Sequence, residues 1–106
     1  MRQCGAREAH DRWRAGEVSI VDIREEEEHG ATRVPEVPLI PMSEFLERID
    51  ELPHGPLVIL CRSGSRSNAV AEYLASEAGR PEVENLEGGI IAWAAEGLPY
   101  EGSPPR

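Results

Sequence analysis

Residues 57–60 (LVIL) are four apolar residues in a row that leave Pro56 and run without a break into Cys61. A strand so short and so wholly apolar has to be covered on both faces, which places it in the middle of a parallel sheet. Residues 18–23 (VSIVDI), β-branched and mostly apolar, repeat the pattern and predict a second buried strand. Between and after these runs the period changes. Residues 6–15 favour a helix stopped by Gly16, and Ser43 is expected to cap a helix that lines up Phe45, Leu46, Ile49 and Leu52. Residues 68–78 put Val70, Tyr73, Leu74 and Ala78 on one helical face, with Gly79 as the stop. Pro35, Pro38 and Pro41 leave room only for a short strand near residues 37–40. Residues 82–86 read as a last edge strand, followed by Gly88-Gly89 and a helix over residues 90–96. Alternating strands and helices predict an α/β domain around a mostly parallel sheet.

At 106 residues the chain is expected to form one domain over 1–106, with a Pro-rich, mobile tail at 99–106. All 11 basic residues are Arg, against 20 acidic ones, and the resulting net charge of −9 argues against a nucleic-acid partner. There is no run of 18 apolar residues, and residues 1–10 are polar, so no membrane segment and a cytoplasmic location are expected. The acidic run Glu25 to Glu28 reads as a solvated loop or the first turn of a helix, where the dipole favours anions.

Two cysteines cannot make a disulfide framework, so each is either packing or chemistry. Cys4 sits in a polar N-terminal stretch expected to be mobile. Cys61 ends a central strand, at the mouth of the sheet where α/β folds place ligands. The loop behind it, Arg62, Ser63, Gly64, Ser65 and Arg66, is rich in small residues and leads into a helix opened by Ser67. Its amides can turn inward as an anion nest, and with the helix dipole and the two Arg they favour thiolate over thiol. No metal site is expected, because His10, His29 and His54 are scattered without ligand spacing to either Cys.

The chain resembles the single-domain rhodaneses. The resemblance is carried by VDIRE (residues 21–25), the segment reaching Ile40-Pro41, CRSGSRS (residues 61–67) and NLEGGIIAW (residues 85–93). It implies a three-layer α/β fold with a five-stranded, mostly parallel sheet flanked by helices. It also implies a sulfurtransferase whose nucleophile, Cys61, carries sulfane sulfur as a persulfide held by the loop from Arg62 to Ser67. The donor would be a small anion such as thiosulfate or a persulfide, the acceptor a thiol or sulfur-carrier protein, and no cofactor is required. A related phosphatase or arsenate reductase would need Cys-x5-Arg, but here the sixth residue after Cys61 is Ser67 and Arg66 is the fifth. A non-enzymatic regulatory or binding module is the other alternative, and such modules often lack the Cys. Where the family usually shows Gly-His-Ile-x-Gly-Ala, this chain reads Thr32, Arg33, Val34, Pro35, Glu36 and Val37, so that turn has to be built differently. Asp22, Arg24, Gly88, Gly89 and Trp93 read as structural residues.

Overall fold

The chain runs β1 (Arg2–Cys4), α1 (Ala6–Arg14), β2 (Ser19–Asp22), α2 (Glu26–Ala31) and β3 (Thr32–Arg33), then through two 3-10 turns at Met42–Glu44 and Leu46–Glu51. It continues as β4 (Leu57–Leu60), α3 (Ser65–Glu77), β5 (Glu84–Leu86), α4 (Gly89–Ala95) and β6 (Glu101–Gly102). These elements come from a computed structural model that describes residues Met1–Arg106. The central sheet has the order β1-β5-β4-β2, and every pairing in it is parallel. A fifth position beyond β2 is occupied by a single bridge, Asp22 to Leu39, bounded by Asp22 N–H to Pro38 O and Ile40 N–H to Asp22 O, both 2.9 Å. Pro38 and Pro41 carry no N–H, so the strand expected near residues 37–40 cannot extend further.

The central strand alternates its side chains as its pleat requires. Val58 and Leu60 face one way and pack with Ile20, Leu86, Ala9, Ile90 and Trp93, beneath α1 and α4. Leu57, Ile59 and Cys61 face the other way and pack with Val21, Phe45, Val70 and Leu74, beneath α3 and the 3-10 turns. All five residues from Leu57 to Cys61 are essentially inaccessible. The three layers follow from that double burial, and they send the Cys61 side chain toward α3. No helix is long and apolar enough to cross a membrane.

Several expectations are corrected. The N-terminal stretch is a strand, and Cys4 is fully buried in it, because β1 covers β5 at the sheet edge; β5 therefore lies inside the sheet. The helix expected after Ser43 is two 3-10 turns broken at Arg48 (φ −114°, ψ 15°), and the Ser43 hydroxyl donates to Glu25 Oε1 at 2.6 Å instead of capping. Leu46 is exposed, as is Tyr73 on α3. The tail is tied down: Glu101–Gly102 pairs antiparallel with Thr32–Arg33, and Trp93 Nε1–H donates to Pro99 O at 2.7 Å.

Candidate active site

Cys61 follows β4 directly, and the chain then turns through Arg62, Ser63 and Gly64 into α3. Gly64 has φ 101° and ψ −9°, the left-handed conformation that lets the loop curl back over its own start. Its N–H donates to Cys61 Sγ at 3.1 Å, and Ser67 adds its N–H at 3.3 Å and its hydroxyl at 3.1 Å. The sulfur is thus ringed by donors, two of them backbone amides that cannot rotate away. Ser65 and Arg66, in the first turn of α3, have no acceptor within the helix for their N–H groups. A negative charge on or just beyond the sulfur is stabilised there by fixed dipoles that need no reorganisation.

The other loop positions divide. Ser63 and Ser65 are exposed, while Ser67 is completely buried inside α3, two residues past the helix start. Arg66 forms a fork with Glu28, both bonds 2.7 Å. That pair joins α3 to α2 and brings the Glu28 carboxyl down from 4.5 to about 2, chiefly through the Arg66 hydrogen bonds. Glu28 also closes the start of α2 by accepting the Glu25 N–H at 3.1 Å. The acidic run is therefore a helix first turn with one member built into the loop support. Because the folded-state value is depressed, the pair stabilises fully above the unfolded carboxylate range and the stabilisation fades as pH falls toward about 2. Glu28→Gln should cost roughly 1 kcal/mol near neutral pH after allowance for solvent screening. It should also flatten the fall in stability on acidification, as measured by urea unfolding at a series of pH values.

Arg62 is exposed and lines a cleft of about 310 Å³ with Arg24, Glu28, Thr32, Ile90 and the tail residues Ser103 to Arg106. Arg24 at its wall is neutralised by Asp22, Nη2 to Oδ2 at 2.8 Å, and also donates to Thr32 O at 2.6 Å. This buried pair clamps β2 to the segment after α2, a structural role. Cys4 has a different environment: burial pushes its thiol up, and Glu8 and Glu84 add to the effect.

The family described as "Rhodanese-like domain" matches residues 5–96, nearly the whole chain. The chain belongs to the rhodanese family. Its relatives include a sulfurtransferase of Allochromatium vinosum, 43% identical over 84 residues that make up 78% of this chain and 78% of that protein. An HTH-type transcriptional regulator of Mycobacterium tuberculosis is 40% identical over 96 residues, 88% of this chain but 42% of the regulator. Among solved structures, a rhodanese-like domain protein of Staphylococcus aureus superposes with a TM-score of 0.79 at 33% identity, covering 97% of this chain and 99% of that one.

Within this rhodanese fold the atypical turn is built on a strained residue. Glu36 has φ 72°, and Val37 N–H reaches back to Val34 O at 3.3 Å, so Pro35-Glu36 occupies the centre of a turn that favours glycine at its third place. Val34 and Val37, which flank the turn, pack in the core layer beneath α1 and α4, whereas Cys61 packs in the layer on the other face of the sheet. A residue to which the sequence assigns no role does reach the site: Asn85, in the NLEGG stretch on β5, holds Oδ1 in hydrogen-bond contact with the Ser67 hydroxyl. Glu28 and Asn85 both act through a partner 18 or more positions away in sequence, Arg66 and Ser67 respectively. Only the family motif at residues 85–93 marked Asn85, and it did so without a role.

Proposed function

We propose that this rhodanese-like domain is a sulfurtransferase in which Cys61 carries sulfane sulfur as a persulfide. The observation that carries the reading is the ring of donors on a buried Sγ at the C-terminal end of the central strand: Gly64 N–H, Ser67 N–H and the Ser67 hydroxyl. The Cys61 thiolate attacks the outer sulfur of a small anionic donor such as thiosulfate. A sulfur–sulfur bond forms to Cys61, the bond to the sulfonate sulfur breaks, and sulfite leaves with the electron pair. The outer sulfur then bears the negative charge, and the amides at the start of α3 face it. A nucleophilic acceptor, a thiol or a sulfur-carrier protein, takes that sulfur and returns Cys61 to thiolate. The sulfurtransferase relative of similar length supports this reading.

The test is intact-protein mass spectrometry after incubation with thiosulfate. One added sulfur atom, mapped to Cys61 and removed by cyanide, is expected; its absence sinks the reading. A binding or regulatory module is the second reading, favoured by the transcriptional regulator among the relatives, and it predicts no sulfur uptake.

Arg62 is the cation next to the nucleophile, in a chain of net charge −9 that would otherwise repel a dianionic donor. Arg62→Ala should raise KM for thiosulfate by about threefold to tenfold, the modest end for a charge-assisted contact because the side chain is exposed. The loss should shrink at high salt and for a weakly charged persulfide donor. Equal losses for both donors would assign Arg62 to the loop instead of to the donor.

A further inference from the structure

The Ser67 hydroxyl has one proton and two claimants. Cys61 Sγ lies 3.1 Å from Oγ, and Asn85 Oδ1 is in hydrogen-bond contact on its other side. All three groups are buried, Ser67 and Cys61 at 0% and 1% exposure and Asn85 at 3%. The way Asn85 presents its oxygen is dictated from the surface. Glu72 on α3 is a carboxylate and can only accept, so Asn68 must turn Nδ2 toward it, at 3.2 Å. Asn68 Oδ1 then accepts from Gln3 Nε2 at 2.7 Å, and Gln3 Oε1 accepts from Asn85 Nδ2 at 2.7 Å. What remains facing Ser67 is Asn85 Oδ1, an acceptor.

We propose that Asn85, oriented by Gln3 on β1, is a positioning residue that competes with Cys61 for the Ser67 proton and so favours states in which the Cys61 sulfur is neutral. With Cys61 a thiol, S–H donates to Ser67 Oγ and the hydroxyl donates to Asn85. When the thiol proton leaves to solvent, the hydroxyl rotates to donate to the anionic sulfur and Asn85 Oδ1 loses its donor. Leaving a buried acceptor unpaired is costly, so Asn85 works against the thiolate. Its consequence for catalysis rests on the sulfurtransferase reading. Once the persulfide forms, the inner sulfur is neutral again and the charge sits on the outer sulfur, so the hydroxyl returns to Asn85. No proton is transferred in this step; one O–H rotates. Asn85 thereby favours the loaded enzyme over the free thiolate.

The other charged groups around Cys61 do not provide this switch. Arg66 from α3 is forked to Glu28 from α2, Arg24 is paired with Asp22 at the end of β2, and Arg62 on the loop is exposed. On β5, Glu84 is paired with Arg12, Glu87 in the turn after it is exposed, and the first turn of α4 contains no titratable side chain.

The experiment is the pH dependence of Cys61 alkylation by iodoacetamide, followed by peptide mass spectrometry, in the full chain. Asn85→Leu frees the hydroxyl for the sulfur and should lower the midpoint of the profile by about one pH unit, tenfold in thiolate on the acid side. Gln3→Leu, at an exposed position that does not touch the loop, releases Asn85 to turn Nδ2 toward Ser67 and should lower the midpoint in the same direction. Gln3→Glu keeps an acceptor for Asn85 Nδ2 and should not lower it. Asn85→Asp, which holds the hydroxyl proton and adds a like charge, should raise it. If Asn85→Leu does not fold, Gln3→Leu still decides. Unchanged or raised midpoints in the Leu variants overturn the proposal, since a residue that merely packs would not move the profile downward. Sulfur transfer is not part of the readout. A protein that takes up no sulfur from thiosulfate yet shows the downward shifts defeats the functional reading and supports the proton competition.

Discussion

Cys61→Ser is expected to reduce thiosulfate-dependent sulfur transfer by at least about a thousandfold, to the level of the solution background, because on the proposed reading the covalent intermediate forms on Cys61. Cys4→Ser should leave transfer near wild type. The contrast does not depend on mobility of the N-terminus, since both cysteines are buried. It depends on what surrounds each sulfur. Cys61 faces two backbone N–H groups and a hydroxyl, all stabilising negative charge. Cys4 sits beside Glu84 and Glu8, with Arg12 Nη1 at 3.6 Å already committed to Glu84 by a fork of 3.0 and 2.9 Å, and burial keeps it protonated. Steady-state transfer from thiosulfate to cyanide measures both variants. Comparable losses would place the chemistry outside the loop, and full activity in Cys61→Ser would remove a Cys61 persulfide from the mechanism. Thermal unfolding of Cys61→Ser should shift little, because the smaller hydroxyl can keep the same amide donors.

What the sequence made legible is local. LVILCRSGSRS sets a buried strand, a small-residue turn and a helix within eleven successive positions, and the structure places Cys61 where that order requires. Strand β1 was hidden because its two outer residues, Arg2 and Gln3, are exposed, and only Cys4 turns inward. The tail was hidden for a similar reason: its ladder to Thr32–Arg33 is made by backbone groups of Glu101 and Gly102, which leave no side-chain pattern. The region after Ser43 has helical spacing, but Phe45 and Leu52 are buried while Leu46 is not, and a pair of 3-10 turns satisfies that mixture better than one regular helix. Buried polar side chains resisted most. Asn85 and Gln3 are joined across 82 positions by a single hydrogen bond, and no periodicity connects them. Their register follows from β1 pairing with β5, Gln3 opposite Asn85, a fact of topology and not of local sequence.

The same loop is held from behind by α4, and here one methyl group should have a large effect. Gly89 has φ 60°, and a Cβ on it would run into the carbonyls of Cys61 and Arg62, which are backbone and cannot swing aside. Those two carbonyls are also the acceptors for the N–H groups of Ile90 at 2.9 Å and Ile91 at 3.2 Å, so α4 begins pressed against the first two residues of the loop. Gly89→Ala must either separate α4 from the loop, losing both bonds, or displace the carbonyls and with them the turn that aims Gly64 and Ser67 at the sulfur. Left-handed strain and two lost buried hydrogen bonds together suggest a cost of roughly 3 kcal/mol. In a domain of this size that corresponds to a fall in Tm of about 12–20 °C. Gly30→Ala is the control, since Gly30 lies in α2 with open space around its Cβ position, and it should leave Tm unchanged or raise it slightly. Sulfur transfer per folded molecule, measured well below the lowered Tm, separates the two responses of Gly89→Ala. If α4 moves away and the loop keeps its shape, the surviving activity is close to wild type. If the carbonyls yield, activity falls together with stability, and the amide ring around Cys61 depends on the packing of α4 as much as on the residues of the loop itself.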